Sequence, residues 1–175
     1  MDEKEFTAHC ISGPLQALRE AGVECSLLIH PAANTMELCR GIGEEQGARH
    51  CKNLFLTNKH GTQFRLLLMH PDKPFRTSEV SKALGVTRMS FASNEQLNEI
   101  LGLEQGFVSV MGLVNECAKR AYAEGRLFVV IDEELLKWER ICVHPNTDRA
   151  SLVIKAEGLI ELLEHLGVAF SVLTV

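Results

Sequence analysis

The sequence predicts an α/β fold of the mixed α+β kind, a single domain over 1–175 with a mixed, mostly antiparallel sheet or partial barrel and flanking helices. Its 175 residues are 46% hydrophobic, which is enough for one core. Helix and strand patterns alternate without a repeat or a long Pro/Gly-rich linker. A hairpin lies among the helices, and this favours mixed strand pairing over a strictly doubly wound sheet.

Local signals place a helix, a strand and a second helix in the first third of the chain. Apolar residues at helical spacing over 15–21 predict a helix that ends at Gly22. The run 23–29 is typical of a short strand. Thr35 is a suitable N-cap for a second helix, because its hydroxyl can accept a hydrogen bond from a backbone N–H of the first turn.

The clearest local signal is a β-hairpin. Two apolar runs, 53–57 and 63–69, are joined by Asn58-Lys59-His60-Gly61. Asparagine and glycine tolerate the positive φ values that a tight connection requires. His30-Pro31 and His70-Pro71 each follow a predicted strand and are interpreted as strand terminators.

The alternation of elements continues after the hairpin. A helix is expected over 78–84 and a strand over 88–92. Ser93 and Gln96 form a capping box for a further helix, which Gly102 ends. Later apolar runs predict strands over 127–131, 139–143 and 151–155 and a helix over 157–166.

Positive charge is concentrated in one part of an acidic chain. The formal net charge is -5, yet residues 49–88 carry +6 and the rest of the chain carries -11. Such a block favours a phosphate-bearing ligand, and the alternative is a solvated basic face. Overall acidity argues against a protein that grips a long duplex, so a nucleotide end or a small nucleic-acid footprint fits better. The candidate nucleic-acid-binding residues are Arg49, Lys59, Arg65 and Arg88.

Composition and cysteine spacing exclude several classes of protein. No apolar run approaches the roughly 18 residues of a membrane span, and the charged N-terminus is unlike a signal peptide, so a soluble cytoplasmic protein without a membrane partner is expected. The six cysteines contain no C-x-x-C pair and are expected to be reduced thiols. The neighbours His9-Cys10 and His50-Cys51 have no acidic partner at ligand spacing, so neither a metal nor a cofactor is expected.

A cation at the head of a buried strand marks the predicted site. Lys52-Asn53 precedes Leu54-Phe55-Leu56, so one ammonium emerges at the edge of the sheet. The alternative is an ordinary surface lysine at a strand end. Cys51 is expected to point into the core, because adjacent side chains on a strand point to opposite faces; a thiol nucleophile beside the ammonium is the other interpretation. No G-x-S-x-G or H-E-x-x-H motif is present.

Several short motifs occur in an order that is found in one known family. They are Cys51-Lys52-Asn53-Leu54-Phe55-Leu56, Ser90-Phe91-Ala92-Ser93, Gly106-Phe107-Val108-Ser109-Val110, Gly112-Leu113-Val114-Asn115, Val130-Ile131-Asp132 and His144-Pro145. With these motifs the chain resembles, over nearly its whole length, a free-standing YbaK-type editing domain of bacterial prolyl-tRNA synthetase. The resemblance implies a YbaK-like fold.

The resemblance also implies a trans-editing deacylase. Its reaction is hydrolysis of the ester between a wrong amino acid, alanine first, and the terminal adenosine of tRNA, assisted by the 2′-hydroxyl of that ribose. Lys52 matches the family's essential lysine and is the predicted catalytic residue, a point charge on the terminal phosphate. The expected partners are the aminoacyl-tRNA acceptor end and, in trans, prolyl-tRNA synthetase. The predicted substrate-binding residues are Asn53, Gly106, Ser109, Val110, Gly112 and His144.

Two positions depart from the family pattern. Val110 stands where the Gly-x-x-x-Pro loop has proline, and Asp148 stands where His-Pro-x-x-Asn has asparagine. Valine restores a backbone N–H and loosens the loop, since proline fixes φ. A second interpretation therefore stays open: a binding module of the same fold that keeps the pocket and the basic face but has weakened hydrolysis.

Overall fold

Nine strands form two mixed sheets within residues 3–174, the part of the chain that this computed structural model describes. The strands are β1 (Cys25–Ile29), β2 (Arg49–His50), β3 (Lys52–Asn58), β4 (Phe64–Met69), β5 (Met89–Phe91), β6 (Leu127–Asp132), β7 (Arg140–Val143), β8 (Ala150–Lys155) and β9 (Phe170–Leu173). The helices are α1 (Glu3–Glu20), α2 (Met36–Glu45), α3 (Thr77–Ala83), α4 (Asn94–Leu101), α5 (Glu116–Ala123) and α6 (Ala156–Leu166), and single 3-10 helices span Val110–Val114 and Glu133–Lys137.

Both sheets combine antiparallel and parallel pairs. The first has the order β1-β8-β7-β2, and only its β2–β7 pair is parallel. The second has the order β5-β3-β4-β6-β9, in which β6 pairs in parallel with β4 and β9. The predicted mixed α+β class is confirmed, although the strands divide between two sheets instead of forming one sheet or partial barrel.

One hydrophobic core joins the two sheets. Phe55 and Leu66 of the second sheet belong to the same buried cluster as Leu152 and Ile154 of the first. This packing holds the sheets together at the place where the chain crosses from one to the other. The prediction of one domain over 1–175 includes residues 1, 2 and 175, which lie outside the described part, and it stays a prediction.

The local capping signals form as predicted. The Thr35 side chain accepts a hydrogen bond from the Leu38 N–H and caps α2. Ser93 and Gln96 make both bonds of the capping box at the start of α4. Gly102 ends α4 in the left-handed region, at φ 66°, where a side chain would be strained.

The β3–β4 hairpin fixes the direction in which Lys52 points along the sheet. Lys52 pairs with Met69 at the open end of the hairpin, and Thr57 pairs with Phe64 near the turn. Only Cys51 separates β2 of the first sheet from β3 of the second. His50 and Lys52 are therefore held by different sheets at the junction between them.

Besides the two 3-10 helices, two strands and one α-helix were not predicted. They are the two-residue strand β2, helix α5 and the edge strand β9. Among the described residues, no helix combines the length and the apolar character that crossing a membrane requires.

Candidate active site

A cavity of about 380 Å³ lies at the junction of the two sheets. It is lined by four of the seven predicted catalytic and substrate-binding residues, which are Lys52, Asn53, Gly106 and His144. Residues from α2, β2, β3, β5 and the loop before the first 3-10 helix complete its walls. Its volume lies within the range of small-molecule sites.

The Lys52 ammonium is held in place by the backbone of a neighbouring turn. Its Nζ donates to the carbonyl oxygens of Lys73, at 2.7 Å, and Pro71, at 3.3 Å. An ammonium has three N–H donors, so these bonds leave one donor and the positive charge for a ligand. The side chain is half-buried, which removes part of the solvent screening that weakens a surface charge.

A buried carboxylate anchors that turn. Asp132, which is fully buried at the end of β6, accepts from the Lys73 ammonium at 2.8 Å and from the His70 N–H at 3.2 Å. It also accepts from the N–H of Glu134, whose side chain forms a second ion pair with Lys73 at 3.0 Å. The turn that holds Lys52 is thus fixed to a second strand of the same sheet.

Gly106 and Asn53 form part of the cavity wall. Gly106 has φ +110°, a conformation that L residues with side chains rarely adopt. The loop meets the cavity at 105–108. Asn53 is half-buried, and its amide contacts the backbone carbonyl and the thiol of Cys51.

Two buried histidines and a thiol occupy one end of the cavity. Nδ1 of His144 lies 3.0 Å from the Ala150 carbonyl oxygen, and Nε2 lies 3.3 Å from Sγ of Cys39. The His50 ring centroid is 5.1 Å from that of His144. Burial, together with the neighbouring rings of His144 and His30, lowers the pKa of His50 to about 3. Burial also lowers the pKa of His144, so both rings are neutral at neutral pH.

The thiol next to Lys52 is a core residue. Cys51 is 3% exposed, and burial raises its pKa to about 12. A thiol with this pKa stays protonated at neutral pH and is a poor nucleophile. The prediction that Cys51 is a core residue is confirmed. All six cysteines are free thiols in the structure.

Three predicted substrate-binding residues lie outside the cavity. Ser109 is buried and caps the 3-10 helix by accepting from the Met111 N–H. Val110 is buried in the main core. A Cβ on Gly112 would lie 2.7 Å from Cδ1 of Leu103, so close packing accounts for this glycine. The three residues therefore do not line this cavity, and their assignment to substrate binding stays a prediction.

The four predicted nucleic-acid-binding residues do not form one surface. Lys59 is in the hairpin turn, six strand residues beyond the end that carries Lys52, about 20 Å away at roughly 3.3 Å per residue. Arg65 packs over the Phe128 ring at 4.1 Å, and Arg88 directly precedes β5 near the same turn. Arg49 is the exception, because it adjoins His50 next to the cavity, with its guanidinium 5.5 Å from the Trp138 ring.

Sequence reasoning assigned no role to three residues that line the cavity. Phe91 is 58% exposed at its rim, an unusual position for a phenylalanine. Cys39 and His50 are buried in its wall. The sequence of the motif Ser90-Phe91-Ala92-Ser93 does not show that the Phe91 side chain is exposed. Cys39 lies 105 residues from its partner His144, so no local spacing connects the two.

Comparison with known families identifies the kind of domain. Residues 30–162 match the sequence model of a family described as "Aminoacyl-tRNA editing domain". The chain belongs to this family. The editing-domain resemblance seen in the ordered motifs is therefore confirmed, and with it the prediction of an editing deacylase.

Individual relatives of this editing domain cover most of the chain. This chain is 31% identical to "Prolyl-tRNA editing protein ProX" of Acetoanaerobium sticklandii, and the match covers 87% of this chain and 90% of the relative. It is 28% identical to "Prolyl-tRNA synthetase associated domain-containing protein 1" of Danio rerio, over 85% and 78% of the two chains. A solved structure described as a candidate trans-editing enzyme for prolyl tRNA synthetase has a TM-score of 0.67 at 19% identity, covering 94% of both chains, and supports the fold.

Proposed function

We propose that this editing domain acts in trans and in the cytoplasm as a hydrolase of mischarged aminoacyl-tRNA, with alanyl-tRNA(Pro) as its substrate and Lys52 as its catalytic residue. The observation that supports the proposal best is the half-buried Lys52 ammonium, held by two backbone carbonyls at the wall of a 380 Å³ cavity. The matching relative of Acetoanaerobium sticklandii is named for prolyl-tRNA editing. Prolyl-tRNA synthetase is the proposed partner in trans.

The reaction needs little chemical activation. Water adds to the ester carbonyl, the bond between the carbonyl carbon and the ribose oxygen breaks, and the amino acid and tRNA are released. An aminoacyl ester is already activated, so orientation and charge stabilisation supply most of the catalysis. In this proposal Lys52 binds the phosphate of the terminal nucleotide with its remaining N–H, and the terminal 2′-hydroxyl assists the water.

The walls of the cavity suggest where each part of the substrate binds. The exposed ring of Phe91 offers a face on which the terminal adenine can stack. The amino acid then lies between the backbone at Gly106 and the neutral ring of His144. Asn53 is placed to contact the ribose or the ester, because its half-buried side chain lines the same cavity as Lys52.

The preceding nucleotides of the acceptor end have a separate cleft next to the cavity. This cleft, of about 590 Å³, is lined by Arg40, Arg49, His70 and Trp138 and shares His50 with the cavity. Trp138 offers an aromatic face and Arg49 offers charge for a phosphate, whereas Arg40 forms an ion pair with Asp72 at 2.6 Å in the same cleft. We assign nucleic-acid binding first to Arg49 in this cleft. The other three predicted residues could contact tRNA only if it reached the end of the second sheet that lies opposite Lys52. They are Lys59, Arg65 and Arg88.

The deciding experiment compares two lysines of the same hairpin. Single-turnover deacylation of alanyl-tRNA(Pro) is measured for the wild type, Lys52→Ala and Lys59→Ala at saturating enzyme, where weaker tRNA binding does not affect the rate. Lys52→Ala is expected to lower the rate by about 100-fold, because the ester of a bound substrate is then no longer held in its reactive position. Lys59→Ala should stay within about threefold. An unchanged rate for Lys52→Ala would remove Lys52 from the mechanism.

Substrate identity is tested with the wild type alone. A panel of alanyl-, cysteinyl-, seryl- and prolyl-tRNA should show the fastest hydrolysis for alanyl-tRNA(Pro) and little for correctly charged prolyl-tRNA. Faster turnover of another ester would reassign the substrate. Tight tRNA binding without turnover of any ester would instead identify the chain as the binding module, and Val110→Pro would then be expected to restore activity.

A further inference from the structure

The buried end of the cavity gathers three side chains that bind transition metals. Cys39, His50 and His144 each offer one ligand atom, and these atoms all lie within 4.8 Å of one another. A tetrahedral zinc with bonds of about 2.0 to 2.3 Å separates its ligand atoms by about 3.3 to 3.8 Å, so the widest of these separations would have to close by roughly 1 to 1.5 Å. Small side-chain movements would therefore be enough to close the site.

The fold itself brings the three residues together. β2 and β7 pair in parallel with His50 opposite Cys142, and His144 lies two residues further along. Residues two positions apart on a strand point to the same face of the sheet, so the imidazoles of His50 and His144 both face α2. On that helix Cys39 and Gly43 are the buried residues. A Cβ on Gly43 would lie 2.9 Å from the Ala48 carbonyl oxygen and 3.4 Å from the His50 ring, so this glycine allows α2 to pack closely against the segment that leads into β2.

Hydrogen bonding leaves one nitrogen of each imidazole available for a metal, whereas the Cys39 thiol also donates to the Ala33 carbonyl oxygen at 3.4 Å, a bond that would be lost with the thiol proton. The Ala150 carbonyl oxygen, 3.0 Å from Nδ1 of His144, fixes the proton on that nitrogen, so Nε2 presents its lone pair toward the Cys39 sulfur. A backbone carbonyl on the second ring nitrogen is the usual support of a metal-binding histidine. Nε2 of His50 is buried and has no hydrogen-bond partner among the residues that the structure describes. An unpaired buried nitrogen is costly, and a ligand that satisfied it would be stabilising.

We propose that Cys39, His50 and His144 bind one Zn²⁺ ion, with a fourth coordination position open to the cavity. One thiolate and two imidazoles form a donor set suited to zinc. Three protein ligands with an open position are typical of zinc sites that hold a water or a substrate atom, unlike closed structural sites. All three residues line the cavity, so a water on the metal would face the space next to Lys52. The inference rests on these contacts and not on the proposed function.

The experiment measures the metal directly. Full-length protein is stripped with a chelator and titrated with Co²⁺ and Zn²⁺, and the Co²⁺ complex is followed through its thiolate charge-transfer absorption. The wild type is expected to bind one ion with a charge-transfer band that Zn²⁺ abolishes by displacement. Cys39→Ser and Cys39→Ala should remove the band, and His50→Ala should weaken binding by at least about 100-fold.

Cys51→Ser is the matched control, because Cys51 is also a buried thiol in the wall of this cavity but is not one of the three ligands. It should bind the metal like the wild type. Circular dichroism verifies that each variant is folded, and the two Cys39 variants ensure that one stays available if the other does not fold. A wild type without the band, a band that persists without Cys39, or unchanged affinity in His50→Ala would each overturn the proposal. Deacylation rates do not enter this result, so failure of the metal site and failure of the proposed function are distinguishable.

Discussion

Replacing Asp132 by Asn should disable the site without touching the cavity. Asp132 is fully buried and accepts three hydrogen bonds, from the Lys73 ammonium and from the backbone N–H groups of His70 and Glu134. Asparagine has one acceptor oxygen in place of two, so at least one of these donors loses its partner. The carbonyls that hold Lys52 belong to the same turn.

The size of the effect follows from these contacts. A buried donor left unpaired costs about 1–3 kcal/mol, and the loss of charge in a bond to a partly buried ammonium adds to it. We therefore expect Asp132→Asn to lower the free energy of unfolding by about 2–4 kcal/mol. A displacement of Lys52 by about 1 Å should lower the single-turnover deacylation rate by up to about 100-fold.

The control substitutes the other carboxylate that pairs with Lys73. The Glu134 side chain is 44% exposed, and such exposed pairs contribute less than about 1 kcal/mol, so Glu134→Gln should change stability and rate little. Urea unfolding gives the stability, and single-turnover hydrolysis of alanyl-tRNA(Pro) gives the rate.

A double-variant comparison separates positioning from general damage. If Asp132 acts through Lys52, adding Asp132→Asn to Lys52→Ala should cause no further loss of rate, although the loss of stability should remain. Additive rate losses, or a normal rate in Asp132→Asn despite the lower stability, would refute the reasoning.

Three further predictions concern packing, stacking and pH. Gly112→Ala should lower the free energy of unfolding by about 1–3 kcal/mol, because its Cβ would meet the buried Leu103 side chain at 2.7 Å. The deacylation rate per folded molecule should stay unchanged. Urea unfolding measures the stability, and active-site titration measures the fraction of active molecules. Phe91→Ala should weaken binding of the acceptor end by about 1–3 kcal/mol and Phe91→Tyr should not, as measured by equilibrium titration with uncharged tRNA. Burial lowers the His50 pKa from 6.5 to about 3, so between these values the unfolded chain takes up a proton that the folded protein does not. The stability that His50 contributes is therefore retained above pH 6.5 and is lost as pH falls toward 3, by up to about 1.4 kcal/mol per pH unit. His50→Gln should make the free energy of unfolding depend less on pH in this range. Urea unfolding at different pH values measures this dependence.

Elements with a local signal were predicted from the sequence. The hairpin, the caps at Thr35 and Ser93, and the stop at Gly102 depend on residues within a few positions of one another. Such signals act before any tertiary contact forms, so the sequence contains them directly. The Lys52 position belongs to this group, because a strand and its first residue are local features.

Elements that depend on distant partners were missed. β2 has two residues and exists only through its parallel pairing with β7, about 90 residues later. β9 pairs in parallel with β6 at the edge of the second sheet, so it has no hairpin turn whose residues would predict it. Division of the strands into two sheets follows from these pairings, so the predicted single sheet missed it.

The charge pattern shows how chain order and spatial order differ. Residues 49–88 are one basic block in the sequence, but the hairpin runs away from Lys52 and back, and the turn carries Lys59 to the opposite end of the sheet. A strand of seven residues spans about 20 Å, more than a Debye length of about 8 Å at physiological salt. The two ends of the block therefore act as separate electrostatic sites, and only the end with Arg49 can support binding at the cavity.

Long-range convergence also explains why the sequence did not indicate the proposed metal site. His50 and Cys51 are neighbours in the sequence, but adjacent side chains on a strand point to opposite faces and do not bind one metal ion together. The thiol that meets His144 is Cys39, from a helix that precedes both strands. Three residues with no shared spacing are neighbours because the parallel pairing of β2 with β7 aligns the two histidines, and Gly43 allows α2 to pack against the Ala48 backbone next to them. The proposed metal site depends on the pairing of β2 with β7. A substitution that shifts this register by one residue would turn one imidazole to the other face of the sheet. The proposed metal ligands and part of the cavity wall would then be lost together.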